Sequence, residues 1–263
     1  MSIFDQKVIK YEMKPLSSLE KVFPDETPVY RMECQMLSGL WGETVSFQVA
    51  YTGDFVMRER LDVRVVSELA EHVHVRTVEM VPVGRATNGI VDDNYLKTTS
   101  GLYPDLLKDL KDGKVIVYSR QWRSLWVDVD ITNEIPAGEY EIELQLIKED
   151  EVVCSAKQKV TVIGTELPKL DIMHTEWMHA DCLADYYHVE VFSEEHWKLL
   201  ENYFQEYVKR DCNMMLTPLF TSPLDTAIGL ERTTCQLIDV EVKDGEYVFG
   251  FEKLKRWIDL CKK

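Results

Sequence analysis

From about Pro28 to Ile163 the apolar residues recur at every second position, and this alternation constrains the fold more than any other feature. Val45, Phe47, Val49 and Tyr51 alternate with Ser46, Gln48 and Ala50. Leu125, Val127, Val129 and Ile131 alternate with Trp126, Asp128 and Asp130, and Tyr140, Ile142, Leu144 and Leu146 with Glu141, Glu143 and Gln145. Successive side chains of a strand point to opposite faces, so each run has one face for a core and one for water or a second surface. Turn chemistry separates the runs at Tyr51-Thr52-Gly53-Asp54, Lys111-Asp112-Gly113-Lys114 and Pro136-Ala137-Gly138-Glu139, and Glu149-Asp150-Glu151 fits a further turn. Many short strands joined by polar turns predict an antiparallel, immunoglobulin-like β-sandwich over residues 1–165. Tyr103-Pro104-Asp105-Leu106-Leu107 reads as an irregular connection across one end of it.

The period changes near Gly164-Thr165-Glu166-Leu167-Pro168, and residues 166–263 read as a second, α/β domain. An apolar run, Leu170 to His174, breaks into a polar and aromatic tip, Glu176-Trp177-Met178-His179-Ala180-Asp181. A helix follows, capped by Ser193, with Glu194 and Glu195 in the first turn and Trp197, Leu200, Phe204, Tyr207 and Val208 on one face. A second apolar run, Met214 to Thr217, stops at Pro218. Gln236 to Phe251 reads as a hairpin turned at Asp244-Gly245, and a last helix carries Leu254, Trp257, Ile258 and Cys261. Strand, loop, helix and strand in this order predict the first β/α units of a (β/α)8 barrel. A closed barrel takes roughly 250 residues, so the expectation is a truncated barrel; the rival is a small α/β appendage on the sandwich.

Acidic residues outnumber basic ones, 46 to 30, for a formal net charge of −16. That balance excludes nucleic acid and anionic membrane surfaces as partners. Six scattered cysteines without a Cys-x-x-Cys pair read as reduced thiols, and the N-terminal residues lack the apolar core of a signal peptide, so the expected location is the cytoplasm. No glycine-rich phosphate loop occurs, and Ser222 and Cys182 lack the context that would activate a nucleophile. No cofactor is expected.

Three groups of phrases are similar to one known family. Gly42-Glu43-Thr44-Val45-Ser46-Phe47-Gln48, Ser124-Leu125-Trp126-Val127-Asp128-Val129 and Pro136-Ala137-Gly138-Glu139-Tyr140 resemble the N-terminal sandwich of bacterial glycoside hydrolase family 123 and its relatives, many of them domains of unknown function. Glu176 to Tyr187 resembles the end of that family's first barrel strand, and Leu216 to Thr226 the end of its second. The resemblance implies a sandwich followed by a (β/α)8 barrel that removes terminal β-linked N-acetylgalactosamine. It further implies substrate-assisted retaining catalysis: the sugar's acetamido oxygen attacks the anomeric carbon, an Asp orients it, and an adjacent Glu serves as acid and then base. No counterpart of that Asp-Glu pair is found. Asp25-Glu26 falls in the sandwich and Glu149-Asp150-Glu151 in a turn, so no catalytic residue is assigned and the chain itself is expected to be inactive.

For binding the carbohydrate substrate, the candidates are Trp177, His179 and Asp181 at the first tip and Thr217 and Asp225 around the second loop. A sugar site needs an aromatic surface against ring C–H groups and polar groups for its hydroxyls. In an extended tip His179 and Asp181 face the same way, so Asp181 would orient the imidazole. The competing account has Trp177 capping a core, His179 bonding a backbone carbonyl and Asp225 capping its own loop. His174, His179 and Cys182 lack the spacing of a metal site, and His72 with His74 on one strand face lacks a third ligand, so no metal is assigned. The alternative function is a non-catalytic carbohydrate-binding or assembly module with Trp41, Trp122 and Trp126 on the sandwich. The sequence permits a homo-oligomer.

Overall fold

The computed structural model describes residues 10–28, 36–55, 58–87, 89, 94–169, 171–221 and 226–263. It is mostly β, with antiparallel sheets and few helices, and divides into two compact units, Met1–Pro168 and Lys169–Lys263.

The first unit contains two five-stranded sheets. One has the order β1 (Lys10–Ser17), β3 (Thr44–Asp54), β8 (Arg123–Asp130), β5 (Val73–Val83) and β6 (Gly101–Asp109), with every neighbouring pair antiparallel. The other has the order β2 (Met36–Trp41), β10 (Glu151–Glu166), β9 (Gly138–Lys148), β4 (Glu59–Val66) and β7 (Lys114–Val117). Here β2 runs parallel to β10, so the sandwich is not antiparallel throughout. Both sheets feed one core. Phe47, Val49, Leu125, Val127 and Val129 enter from the first, and Leu61, Ile142, Leu144, Leu146 and Val160 from the second. These are the alternate residues of the period-two runs, so the pattern sorts faces as strand geometry requires.

The opposite face of the first sheet carries a hydrogen-bonded network around Asp128 and Gln48. Asp128 Oδ1 accepts from the Ser46 hydroxyl at 2.6 Å and from Trp126 Nε1 at 2.7 Å, and its other oxygen pairs with Arg76. Beside it, buried Gln48 gives its Nε2 hydrogens to the carbonyls of Ser17 (3.2 Å), Ser18 (3.3 Å) and Glu20 (2.7 Å), while its Oε1 accepts from Ser124 at 2.9 Å. One amide side chain thereby stitches the segment after β1 to the sheet.

Two local expectations fail for physical reasons. Tyr103 to Leu107 lies within strand β6 and is not an irregular connection. Pro104 is tolerated because β6 is the edge of its sheet, where a missing N–H leaves no ladder bond unmade. Tyr51 to Asp54 is not a turn but the end of β3, which holds Gly53 because a Cβ there would meet the Phe55 ring at 2.3 Å. The turn at Asp112-Gly113, with both φ positive (55° and 68°), and the turn at Glu149-Asp150 (49° and 68°) join β strands in the left-handed conformation that two-residue hairpins need.

The second unit holds three helices and one hairpin. In α2 (Glu194–Lys209) the Ser193 hydroxyl accepts the His196 N–H at 3.2 Å, and Trp197, Leu200 and Phe204 are buried. Strands β11 (Asp239–Lys243) and β12 (Glu246–Gly250) turn at Asp244 and Gly245, with φ of 54° and 85°. Helix α3 (Glu252–Cys261) drives Trp257, 1% exposed, edge-on against Trp197 and Phe204 at centroid distances of 6.4 and 5.0 Å.

The parallel strand pair expected here is absent among the described residues. Residues 171–174 and 213–217 carry no strand ladder. Asn213 clasps them instead: its Nδ2 donates to the Ile172 carbonyl at 2.7 Å, and its Oδ1 accepts the His174 N–H at 2.9 Å. The backbone N–H groups of Asn213 and Met214 both donate to the His174 carbonyl. Ile172 and Met173 are 63% and 82% exposed, so the apolar packing that holds a buried parallel strand is missing on both sides.

Candidate functional site

The tip does not stay extended to Asp181: a helix begins at Ala180. Ala180, Leu183 and Ala184 fall on one face and are buried, and α1 (Ala180–Tyr187) begins one residue after His179. His179 is therefore the residue at the helix N-cap, with extended backbone and a side chain that does not cap it. Asp181 lies in the first turn, where a carboxylate suits the helix dipole. His179 and Asp181 thus do not share a strand face, and Asp181 does not serve to orient the imidazole.

Asp181 has a different partner, one without local sequence signal. Arg232 Nε donates to Asp181 Oδ2 at 2.6 Å and Arg232 Nη2 to Oδ1 at 2.9 Å. The two side chains are only 8% and 13% exposed, so the pair is bidentate and largely desolvated. One helical turn on, Asp185 accepts from the Thr233 hydroxyl at 2.9 Å, fastening the same loop to α1 a second time.

These groups wall a small cavity of about 90 Å³. His179, Asp181, Thr217, Thr221, Arg232 and Cys235 are among the residues that line it. Thr221 Oγ1 accepts the Cys235 N–H at 3.0 Å, leaving its own hydroxyl proton to donate. Burial, with Asp181 acting in the same direction, pushes the Cys235 thiol up to about 12, so it is no nucleophile near neutrality. Ligand pockets generally start near 300 Å³; this one, about 90 Å³, admits a small substituent and not a six-membered ring.

A buried histidine holds the wall in place. His196 Nε2 donates to the Ala180 carbonyl at 2.9 Å and Nδ1 accepts the Phe192 N–H at 2.9 Å, which defines the neutral tautomer. Burial lowers its pKa below the usual histidine value, in keeping with those roles. It ties the start of α1 to the start of α2.

Of the five residues singled out from the sequence, the structure brings three to this cavity: His179, Asp181 and Thr217. Thr217 donates to the Met215 carbonyl at 3.3 Å. Trp177 is not in the lining and stands 64% exposed. Asp225 lies outside the described residues. Arg232, Thr221, Cys235 and His196 were missed. The one available signal for Arg232 was indirect: a carboxylate on the apolar side of a helix requires a cation from elsewhere.

The other candidates have structural partners. His74 on β5 pairs with Asp130 at 3.2 Å, and His72 lies in a short 3-10 turn. Lys97 bridges Asp25 and Glu26 at 3.2 and 2.7 Å. Trp122 is buried beneath Lys14, Trp41 donates to the Ile135 carbonyl and Trp126 to Asp128, so the three tryptophans form no exposed platform. Among the described residues no three His, Cys, Asp or Glu side chains are grouped to hold a metal, and no helix is long and apolar enough to cross a membrane.

Residues 177–263 match the family described as glycoside hydrolase 123, catalytic domain. A search of curated proteins found no match. Among solved structures, a family 123 glycoside hydrolase from Clostridium perfringens, described for glycolipid glycan hydrolysis, superposes with a TM-score of 0.69 at 13% identity over 95% of this chain. This chain spans 45% of the length of that enzyme. A β-glucosidase from Listeria innocua in complex with isofagomine matches 61% of this chain and 17% of its own, at 11% identity and a TM-score of 0.28, a likeness without weight.

Proposed function

Starting from a glycoside hydrolase family 123-like protein, we propose that the chain is part of an enzyme that hydrolyses glycosidic bonds. Its cavity between the start of α1 and the Arg232 loop receives one substituent of the sugar. The observation that carries this reading is the Asp181–Arg232 pair. Two charge-assisted bonds hold the guanidinium at the wall, beside the hydroxyls of Thr217 and Thr221, so polar groups are positioned before a ligand arrives. In this reading the second unit supplies the opening elements of a (β/α)8 barrel. The parent removes a terminal N-acetylhexosamine of the β-N-acetylgalactosaminide type, by attack of the acetamido oxygen on the anomeric carbon.

The same geometry limits what this wall can do. Asp181 is the one carboxylate lining the cavity among the described residues, and both its oxygens accept from Arg232. It is not placed to protonate a leaving group. Bond cleavage requires a carboxylic acid and an orienting carboxylate, and the described residues of this cavity do not supply them. The chain then binds the sugar and does not turn it over.

Saturation-transfer NMR tests this directly. N-acetylgalactosamine is expected to bind, at least tenfold more weakly after Arg232→Met, while aryl N-acetyl-β-galactosaminide stays intact. Absence of binding would refute the pocket assignment. Turnover that survives purification and disappears in His179→Ala would refute the reading of a binding wall alone.

A further inference from the structure

In the first unit a cavity of about 730 Å³ opens where β4 and β7 of one sheet and β5, β6 and β8 of the other present their ends and edges. It lies within the size range of ligand pockets. Its floor is apolar and closed, made by Tyr51, Val78 and Val115, all buried. Its walls are cationic: Arg58, Arg60, Lys108, Lys111, Lys114 and Arg123 all line it, against three carboxylates, Glu59, Glu79 and Asp109. In a chain with 46 acidic and 30 basic residues that ratio is inverted.

The carboxylates do not neutralise these cations. Glu59 is bonded to Tyr11 and to Lys148, and Glu79 accepts from Thr77. Arg60 and Lys114 reach out to Asp112 and Asp62. Arg58, Lys108 and Lys111 make no ion pair with any described residue. Arg123 lies over the Tyr118 ring, 5.0 Å from its centroid, which puts an aromatic surface and a guanidinium together on one wall. Edge strands do carry lysines simply to discourage pairing, but here cations from three stretches, 58–60, 108–114 and 123, converge on one concavity.

We propose that this groove binds a short acidic oligosaccharide, its carboxylate or sulfate groups held by Lys108, Lys111 and Arg58 and one sugar ring set against Tyr118. The choice of a sugar over other anions rests on the glycoside hydrolase reading. The choice of a short one follows from screening. Beyond roughly 8 Å at physiological salt the −16 of the whole chain is damped, so a ligand confined to the groove responds to the local cations.

Calorimetry on the full chain provides the test, with trigalacturonic acid as the carboxylate probe, a heparin tetrasaccharide as the sulfate probe and galactotriose as the neutral one. At least one acidic probe is expected to bind. Its affinity should fall at least tenfold between 50 and 200 mM salt, and at least tenfold in Lys108→Glu/Lys111→Glu. Whichever acidic probe binds identifies the anionic group. Lys157→Glu, a reversal on β10 outside the groove, should bind as the parent chain does. Arg232→Met should likewise leave this binding intact, so loss of the sugar cavity and loss of the groove give separate signatures. The proposal is overturned by no binding of either acidic probe, by equal binding of galactotriose, or by full binding in the double variant. Equal affinity for an oligodeoxynucleotide of matched charge would overturn it too.

Discussion

Removing Asp181 takes two charge-assisted bonds from a largely buried guanidinium. In Asp181→Ala, Arg232 loses two charge-assisted bonds, each worth about 1.5–3 kcal/mol, and retains a desolvated charge. Breaking one side of a buried pair costs about 3–5 kcal/mol. Arg232 still has 13% of its side chain at the surface, where water recovers part of the loss, so about 3 kcal/mol is expected. For a unit the size of Lys169–Lys263, about 4–8 °C is lost per kcal/mol, which gives roughly 12–24 °C. The helices α1, α2 and α3 all belong to this unit, so circular dichroism at 222 nm on the full chain follows its unfolding selectively. Asp181→Leu/Arg232→Met removes both charges and should regain most of the lost stability. A midpoint drop under about 4 °C, the behaviour of an exposed pair, would refute the account. So would a double variant no better than the single one.

Further outcomes follow from other parts of the fold. His196 is kept neutral by burial, so its folded pKa lies below the unfolded value of 6.5. Between those two values the unfolded state binds more protons, and stability is complete above about pH 6.5 and lost as pH falls below it. The urea midpoint of the helical unit should therefore drop between pH 7.5 and 5.5, and His196→Asn should flatten that slope while lowering the midpoint at both values. Leu144→Ala, at a fully buried core position of β9, should cost about 2–5 kcal/mol in denaturant titrations of the sandwich. Gly39→Ala places a methyl 2.6 Å from Val45 Cγ2 and should cost about 1–3 kcal/mol by the same measurement. In iodoacetamide labelling at pH 8, exposed Cys182 should react well before Cys235, whose thiol is held up to about 12.

What could be read from the sequence was whatever is encoded locally. Ser193 followed by two glutamates and a 3.6-residue apolar stripe specifies α2 within one segment, and Asp244-Gly245 between alternating runs specifies its hairpin. Strand β6 escaped notice because Pro104 is a breaker everywhere except at an edge, and being an edge is a property of the assembled sheet. Helix α1 was hidden by aromatic and polar flanks that suggested a loop, although Ala180, Leu183 and Ala184 already carried a helical spacing. The cavity was half visible. His179, Asp181 and Thr217 belong to phrases with recognisable character, but Arg232 stands 51 residues from its partner, and one sequence offers only the indirect sign that a carboxylate on a buried helix face needs a cation from elsewhere. The parallel runs failed as strands because their apolar character is necessary for a buried ladder but supplies no neighbours for it.

The parallel pairing of β2 with β10 also has a consequence for how the polypeptide is made. Met36 sits opposite Lys159, so β2 emerges from the ribosome about 120 residues before the strand it adds to. At roughly 5–20 residues per second it waits on the order of ten seconds with its hydrogen-bonding edge uncovered. Among the described strands β2 waits longest for its partner, and slow codons between Trp41 and Glu151 would lengthen that wait.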